Sequence, residues 1–332
     1  YAFFKGIGAT CILIALLSSI ALCINFQFQH TAYYVLFLSL SLPAMYVFEL
    51  IKIQLRLQHK NSTFAATDLV FAAILTGSTL IFSYFFQEKG YAFALVLTPT
   101  LSALVYFKKV QSCFKNYKKP SIVDRSFWSY GFFASLSNVV TQLLFVIDIL
   151  LIGHLLNDAE MVTNYKYLSL IPLSLLFLPR AFINTDFVAF TEKIHHKSYI
   201  YKYIKSYLLL FTLVSAVICL FFYTSSSVIL AIFGTEFIAF KTPFMIITFG
   251  VCGILILRGI FGNLLSSIGK AHVNFYISSA ALLLNILSNY ILIPTYGLTG
   301  AAITSSVLMW LTGLASALLF WRLYNHDFLS KP

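Results

Sequence analysis

Residues 130–153 have the sequence YGFFASLSNVVTQLLFVIDILLIG, an apolar run whose one charged side chain is Asp148. A helix of about 20 mostly apolar residues crosses the roughly 30 Å hydrocarbon core of a bilayer with its backbone groups bonded internally. This stretch is therefore expected to span a membrane as a helix. Similar runs occupy residues 7–26, 33–51, 69–86, 90–107, 165–190, 206–223, 243–267, 272–293 and 298–321. The sequence thus predicts an all-α, polytopic membrane protein with about ten spans.

The composition of the whole chain supports this prediction. Of its 332 residues, 60% are hydrophobic and 10% are charged, whereas about a quarter of the residues in a soluble domain are charged. A soluble fold of this length has too little interior to hide so much apolar surface from water. The composition excludes a soluble enzyme, a disordered chain and a disulfide scaffold.

The loops between the predicted spans alternate in charge. Those on one side, such as residues 108–125 and 193–205, are rich in Lys and Arg, and those on the other side have few. Because cytoplasmic loops carry the excess of Lys and Arg, both termini of this chain are predicted to be cytoplasmic. The net charge of +11 then reflects topology and attraction to anionic membrane lipids. Nucleic acid is not an expected partner.

The longest basic loop, residues 108–125, divides the predicted spans into four and six. Residues 1–125 are predicted to form an N-terminal bundle of about four helices with a basic cytoplasmic linker, and residues 126–332 a C-terminal bundle of about six. Transporters are often built from related halves. The unequal division, and a chain that begins with Tyr1 at a span, suggest a first bundle that lacks about two helices. A misassigned start or a fragment is the alternative explanation.

Three ionisable residues lie within predicted spans, where an unpaired charge is costly and usually marks function. Asp148 either pairs with a neighbouring helix for assembly or faces a cavity and couples an ion. Arg180 either extends its charge to the membrane interface or faces an anion. Arg258, in a glycine-rich span, is either a structural residue or a ligand-binding one.

Polar side chains accompany these charges in the second half of the chain. Such stripes either line a cavity or join helices by hydrogen bonds. A cavity lined with Arg and Lys would suit a phosphate-bearing anion, because the guanidinium group binds phosphate bidentately and stays charged. The predicted cavity and substrate-binding residues are Arg180, Arg258, Asp148, Asn138, Lys270, Asn263 and Asn285.

Other kinds of chemistry have little support in the sequence. The five cysteines lack the paired spacing of a metal site, and Gly269-Lys270 lacks the remainder of a nucleotide-binding loop. No set of acid, base and nucleophile is apparent, and no long external loop is available to carry one. The sequence predicts neither an enzyme nor a metal or cofactor.

Two regions of the second half resemble Wzx-type oligosaccharide flippases. Residues 147–153, IDILLIG, followed by residues 162–165, VTNY, resemble the region from their seventh to their eighth span. Residues 285–294, NILSNYILIP, and 295–302, TYGLTGAA, resemble their eleventh span and the turn into the twelfth. Residues 232–237, IFGTEF, are similar to their short outer segment between spans nine and ten. The likeness covers residues 126–321, and its C-terminal part is shared with the multidrug/oligosaccharidyl-lipid/polysaccharide exporter superfamily.

This resemblance implies two six-helix bundles around a central cavity with alternating access, the first bundle being incomplete here. The implied function is to flip undecaprenyl-pyrophosphate-linked repeat units of O-antigen or capsular polysaccharide across the bacterial cytoplasmic (inner) membrane. The pyrophosphate would suit Arg180 and Arg258, and Asp148 matches an acidic position of the family. H⁺ or Na⁺ coupling, and a polymerase and a chain-length regulator as partners, are further expectations.

Two alternatives remain at this stage. A cation-coupled multidrug exporter of the same superfamily is one, although its cavity should be anionic rather than cationic. A membrane polysaccharide polymerase of the same pathway is the other, although it would need a long outer loop.

Overall fold

The computed structural model describes residues 2–23, 31–115 and 125–328, which form helices joined by short turns and contain no strand. A 3-10 helix spans Thr235–Phe240, and a π-helix spans Ile254–Arg258. The α-helices are α1 (Ala2–Cys23), α2 (Thr31–Ser39), α3 (Leu42–Leu57), α4 (Asn61–Lys115), α5 (Arg125–Leu156), α6 (Ala159–Ser174), α7 (Phe177–Glu192), α8 (Lys197–Ala231), α9 (Lys241–Gly253), α10 (Gly259–Ser267), α11 (Ala271–Tyr296) and α12 (Leu298–Leu323).

Nine helical segments within these ranges are long and apolar enough to cross a membrane. One of them, Asn61–Tyr106, contains two crossings, because α4 reverses at Gln87, where φ is 52° and ψ is −129°. Ser78 and Thr98 would lie about 30 Å apart on a straight helix, but their hydroxyl oxygens are 3.3 Å apart. The two halves of α4 therefore pack antiparallel. The prediction of an all-α, polytopic membrane protein is confirmed, and the described helices provide ten crossings.

The chain forms two compact units, Tyr1–Pro120 and Ser121–Pro332. In the first unit, α3 packs on α4 through Phe48, Ile51 and Leu55, which are buried and lie on one helical face. Beside this core Lys52 bridges two carboxylates, with its Nζ 2.9 Å from Asp68 and 3.3 Å from Glu49. The charges of this helix pair therefore compensate one another.

In the second unit, α5, α9, α11 and α12 pack closely together. Two hydrogen bonds fix the register of α5 on α11: Thr141 Oγ1 lies 3.0 Å from Ser278 Oγ, and Asn285 Nδ2 donates to Asp148 at 2.9 Å. Both pairs are separated by 137 residues. The two helices therefore run parallel and in register over these two turns.

Small residues allow α9 to approach α12. A Cβ atom added to Gly250 would lie 2.6 Å from the Cα atom of Ser306, and one added to Gly253 would lie 2.8 Å from the ring of Trp310. Helices in membranes associate through such close backbone contacts because lipid is as apolar as a protein core. The α9–α12 contact holds the π-helix and its Arg258 at a fixed depth in the unit.

Gly250→Ala is expected to lower the free energy of unfolding by about 1–3 kcal/mol, because the added methyl group overpacks the α9–α12 contact. Gly131→Ala is the matched control, because nothing lies within 4 Å of a Cβ atom at Gly131. Thermal unfolding of the two variants in one detergent measures the difference. Equal stability of the two variants would show that α9 and α12 do not approach at Gly250.

Candidate functional site

The carboxyl group of Asp148 lies in the interior of the second unit, where its side chain is 3% exposed. All of its hydrogen-bond donors are neutral, and no basic side chain contacts it among the residues that the structure describes. Oδ1 accepts from Asn285 Nδ2 at 2.9 Å and Asn289 Nδ2 at 2.8 Å, and Oδ2 accepts from Tyr165 Oη at 3.1 Å and from Ser305 Oγ. The carboxylate is thus solvated by the protein while its charge is not neutralised.

Three helices besides α5 supply these donors. Asn285 and Asn289 lie one turn apart on the same face of α11, Tyr165 belongs to α6, and Ser305 belongs to α12. Asn289 Nδ2 also donates to Asn285 Oδ1 at 3.0 Å. We call Asp148 and these four donors the carboxylate cluster.

The carboxylate cluster fits a proton or a hard cation better than a soft metal. Carboxylate, amide and hydroxyl oxygens are the ligands that hard cations prefer. Asn289 Oδ1 is buried without a hydrogen-bond donor, so one oxygen is available to a cation beside the carboxylate. In the described part of the chain no three His, Cys, Asp or Glu side chains come together in a way that could hold a metal ion.

The second charged group of the interior is Arg258, at the end of the π-helix. Nη1 donates to Asn274 Oδ1 at 3.1 Å and to Ser316 Oγ, and Nη2 donates to Ser278 Oγ at 3.0 Å. These partners are neutral, and no described carboxylate contacts the guanidinium. A guanidinium group has five N–H donors, so two remain without a described partner. We call Arg258 and these three partners the guanidinium cluster.

The π-helix sets the direction of the Arg258 side chain. Such helices shift the register of the residues that follow and are frequent at functional sites. Tyr207 on α8 supports the irregular turn by donating from its hydroxyl to the Leu255 carbonyl at 3.0 Å. Gly259 allows this contact, because a Cβ atom there would lie 2.9 Å from the Tyr207 hydroxyl.

A narrow crevice with a volume of about 40 Å³ is lined by residues of both clusters. Its walls include Arg258 and Ser278 of the guanidinium cluster and Asn285 and Ser305 of the carboxylate cluster. A smaller cavity beside Asp148 shares four of the same wall residues, Leu144, Phe145, Ser305 and Met309. Arg258 therefore lines the crevice, and Asp148 lines the adjoining smaller cavity.

The structure brings three of the seven predicted site residues to this region: Arg258 and Asn285 line the crevice, and Asp148 lines the adjoining cavity. The other four lie elsewhere. Arg180 on α7 and Asn138 on α5 are exposed, and Lys270 is half-buried in the turn between α10 and α11. Asn263 donates to the Gly259 carbonyl of its own helix at 2.7 Å.

Several residues of the two clusters escaped the sequence analysis. Ser305 and Ser316 on α12 are neutral, and hydroxyl side chains within spans most often bond to their own helix. Ser305 lies in the run Thr304-Ser305-Ser306, and this cluster of hydroxyls inside an apolar segment was the available signal. The role of Tyr165 depends on the packing of α6 against α5 and has no local signature.

Comparisons with known proteins identify the class of fold. No family model matches the chain. The chain is 22% identical over 266 residues to the uncharacterized membrane protein MJ1068 of Methanocaldococcus jannaschii, over 76% of this chain and 52% of that protein. The chain thus spans about half the length of this relative.

Solved structures of transporters share the fold. A mutant of the Vibrio cholerae MATE transporter VcmN superposes with a TM-score of 0.74 at 14% identity and covers 98% of this chain and 79% of that one. A MATE mutant gives 0.70 at 15% identity, with 98% and 76% covered. The lipid II flippase MurJ in an inward closed conformation gives 0.61 at 16% identity, with 97% and 77% covered.

The protein is therefore a multi-pass membrane protein with the transporter fold of MATE proteins and MurJ. The all-α helical membrane fold expected from the sequence is confirmed. Specificity for an oligosaccharide stays a prediction.

Asp148→Ala is expected to destabilise the protein by several kcal/mol, because each donor left unpaired in the interior costs about 1–3 kcal/mol. Asp148→Asn should have a smaller effect, since its amide oxygen still accepts hydrogen bonds. Glu160→Ala, at an exposed acid, is the control. Thermal unfolding of the three variants measures their stability. Glu160→Ala should be the most stable, Asp148→Asn intermediate and Asp148→Ala the least stable. An alanine variant as stable as the asparagine variant would contradict the described cluster.

Proposed function

We propose that this protein is a flippase that moves undecaprenyl-pyrophosphate-linked oligosaccharide repeat units across the membrane by alternating access, for O-antigen or capsular polysaccharide biosynthesis. The observation that carries the proposal is Arg258, a guanidinium in the membrane interior without a carboxylate partner in the described structure. Its two remaining N–H donors suit an oxyanion. The fold it shares with MurJ, a lipid II flippase, supports a lipid-linked substrate.

The chemistry of Arg258 favours an anionic head group over an uncharged sugar alone. An unpaired cation in a low-dielectric interior is costly, and its neutral partners Asn274, Ser278 and Ser316 leave the positive charge uncompensated. A phosphate oxygen in the crevice would compensate it. We further propose that Arg180, which is exposed on α7, contacts the same head group at another stage of transport.

We infer that Asp148 is the site of H⁺ or Na⁺ coupling. The carboxylate is buried among neutral donors, and Asn289 Oδ1 beside it has no donor. A proton or a cation at this position would neutralise a charge that the described structure leaves uncompensated.

A multidrug exporter is the second candidate function. The MATE structures share the fold, and the buried Asp148 is the kind of group that attracts a cationic drug. Arg258, which lines the adjoining crevice, would repel such a substrate. The two functions therefore differ in the charge of the substrate: an anion would bind Arg258, and a cationic drug would bind Asp148.

The proposed setting is the bacterial cytoplasmic membrane, with both termini of this chain on the cytoplasmic side, as the Lys- and Arg-rich loops indicate. A polymerase and a chain-length regulator of the same pathway would consume the flipped repeat units. No polymerase activity is proposed for this chain, and the solved structures that share its fold are of transporters and a flippase.

Deletion of the full-length gene in its host is expected to cause lipid-linked repeat units to accumulate on the cytoplasmic side and surface glycan to disappear. The accessibility of the lipid-linked units to an added glycosidase measures the first effect, and the amount of surface glycan measures the second. A host with normal surface glycan and a raised sensitivity to cationic drugs would favour the exporter instead.

Arg258→Ala is expected to lower export at least tenfold, because hydrogen bonds to a charged group contribute about 1.5–3 kcal/mol and 1.4 kcal/mol corresponds to a factor of ten. Arg258→Lys should retain part of the activity, since it keeps the charge and loses the bidentate fork. Arg180→Ala should also lower export. Arg322→Ala, at an exposed arginine, is the control.

These variants are compared in the deletion host at matched protein levels, by the amount of surface glycan they restore. Normal export by the Arg180 and Arg258 alanine variants would overturn the cationic site.

A further inference from the structure

We infer that the charge state of Asp148 controls the anion affinity of Arg258, so that a cation and an anionic head group bind to the crevice cooperatively. The inference rests on the proposed function, which supplies the two ligands, and adds the means by which binding of one ligand affects the other. It follows from the arrangement of the two clusters on shared helices.

The two clusters share two helices, α11 and α12, and α5 contacts both clusters. On α5, Thr141 lies at the level of the guanidinium cluster and Asp148 seven residues further along, and on α11 the corresponding residues are Ser278 and Asn285. Seven residues of α-helix correspond to about 10 Å. The helix α12 adds a residue to each cluster and runs in the opposite direction. On α12 the two residues, Ser305 and Ser316, are eleven residues or about 16 Å apart, so the carboxylate and the guanidinium lie about 10–16 Å from each other.

The space between the two charges weakly screens their interaction. The polar wall residues between them are neutral, and the remaining walls are apolar, among them Leu144, Phe145 and Met309. No further charged side chain lines either cavity in the described residues. The field of Asp148 at Arg258 is therefore not offset by a closer charge.

The direction of the effect follows from the signs. An ionised Asp148 repels an anion that approaches Arg258, and a proton or Na⁺ on Asp148 removes that repulsion. At an effective dielectric constant of about 20, one unit charge about 10–16 Å away changes the affinity for a monovalent anion by roughly tenfold, and more for a divalent one. By linkage, the anion raises the affinity for the cation by the same factor.

This arrangement would couple ion to substrate without a direct contact between them. The affinity of the crevice for the head group would then depend on whether the cation is bound. The neutral Asn285 and Ser305 are suited to this role, because they hold the carboxylate and line the crevice without compensating its charge.

The test uses sulfate as the anion, because it is a bidentate oxyanion that stays divalent near neutral pH. The full chain is placed in nanodiscs of zwitterionic lipid in Na⁺-free choline buffer at pH 8, and sulfate binding is measured by calorimetry. Asp148→Asn is expected to bind sulfate at least tenfold more tightly than the unmodified protein. Arg258→Gln is expected to abolish binding. Glu160→Gln, which removes an exposed negative charge away from the crevice, should bind as the unmodified protein does.

The outcomes distinguish the anion site of the proposed function from the linkage between Asp148 and Arg258. If Arg258→Gln abolishes binding but Asp148→Asn does not strengthen it, the linkage is wrong while the anion site of the proposed function stands. If sulfate binds to none of the proteins, or binds equally to Arg258→Gln, both the anion site and the linkage are overturned. Should Asp148→Asn fail to fold, Asp148→Ser, which is also neutral and is smaller, replaces it with the same expected increase.

Discussion

A carboxylate in the interior of a membrane protein must be surrounded by hydrogen-bond donors, and in this protein α6, α11 and α12 supply those of Asp148. This requirement constrains much of the second unit. The two asparagines of α11 reach the carboxylate only if α5 and α11 run parallel in the observed register, and Ser305 reaches it only if α12 lies against both. The same register brings Thr141 to Ser278, and with it the guanidinium cluster.

The result is a pair of adjoining cavities, one lined by Arg258 and the other by Asp148, with neutral hydroxyl and amide groups between the two charges. An unpaired charge is costly where water is scarce, and in the proposed function a ligand would compensate it. Here neither Asp148 nor Arg258 is compensated by a described side chain of opposite charge. Both are therefore suited to ligands that come and go, a cation for the first and an anion for the second.

Sequence alone predicted the class of protein and the number of spans, because the length of an apolar run is a local property. It also identified Asp148 and Arg258, since charges stand out in apolar surroundings. It did not reveal that they line adjoining cavities, because contacts between α5 and α11 join residues 137 positions apart. Nor did it reveal that Arg180 and Asn138 are exposed, because the rotation of a helix about its axis depends on packing. The π-helix that ends at Arg258 had no recognisable pattern, and the run Thr304-Ser305-Ser306 on α12 was the only signal of the hydroxyl groups there.

Cysteine cross-linking of α5 to α11 tests the central claim, which is that these helices pair in parallel with an offset of 137 residues. In a chain without its five native cysteines, Thr141→Cys combined with Ser278→Cys is predicted to form a disulfide rapidly in membranes treated with a mild oxidant. Thr141→Cys combined with Leu282→Cys, one turn or about 6 Å further along α11, should react far more slowly. Equal or faster reaction of the Leu282 pair would contradict the register, and with it the adjoining cavities of Asp148 and Arg258.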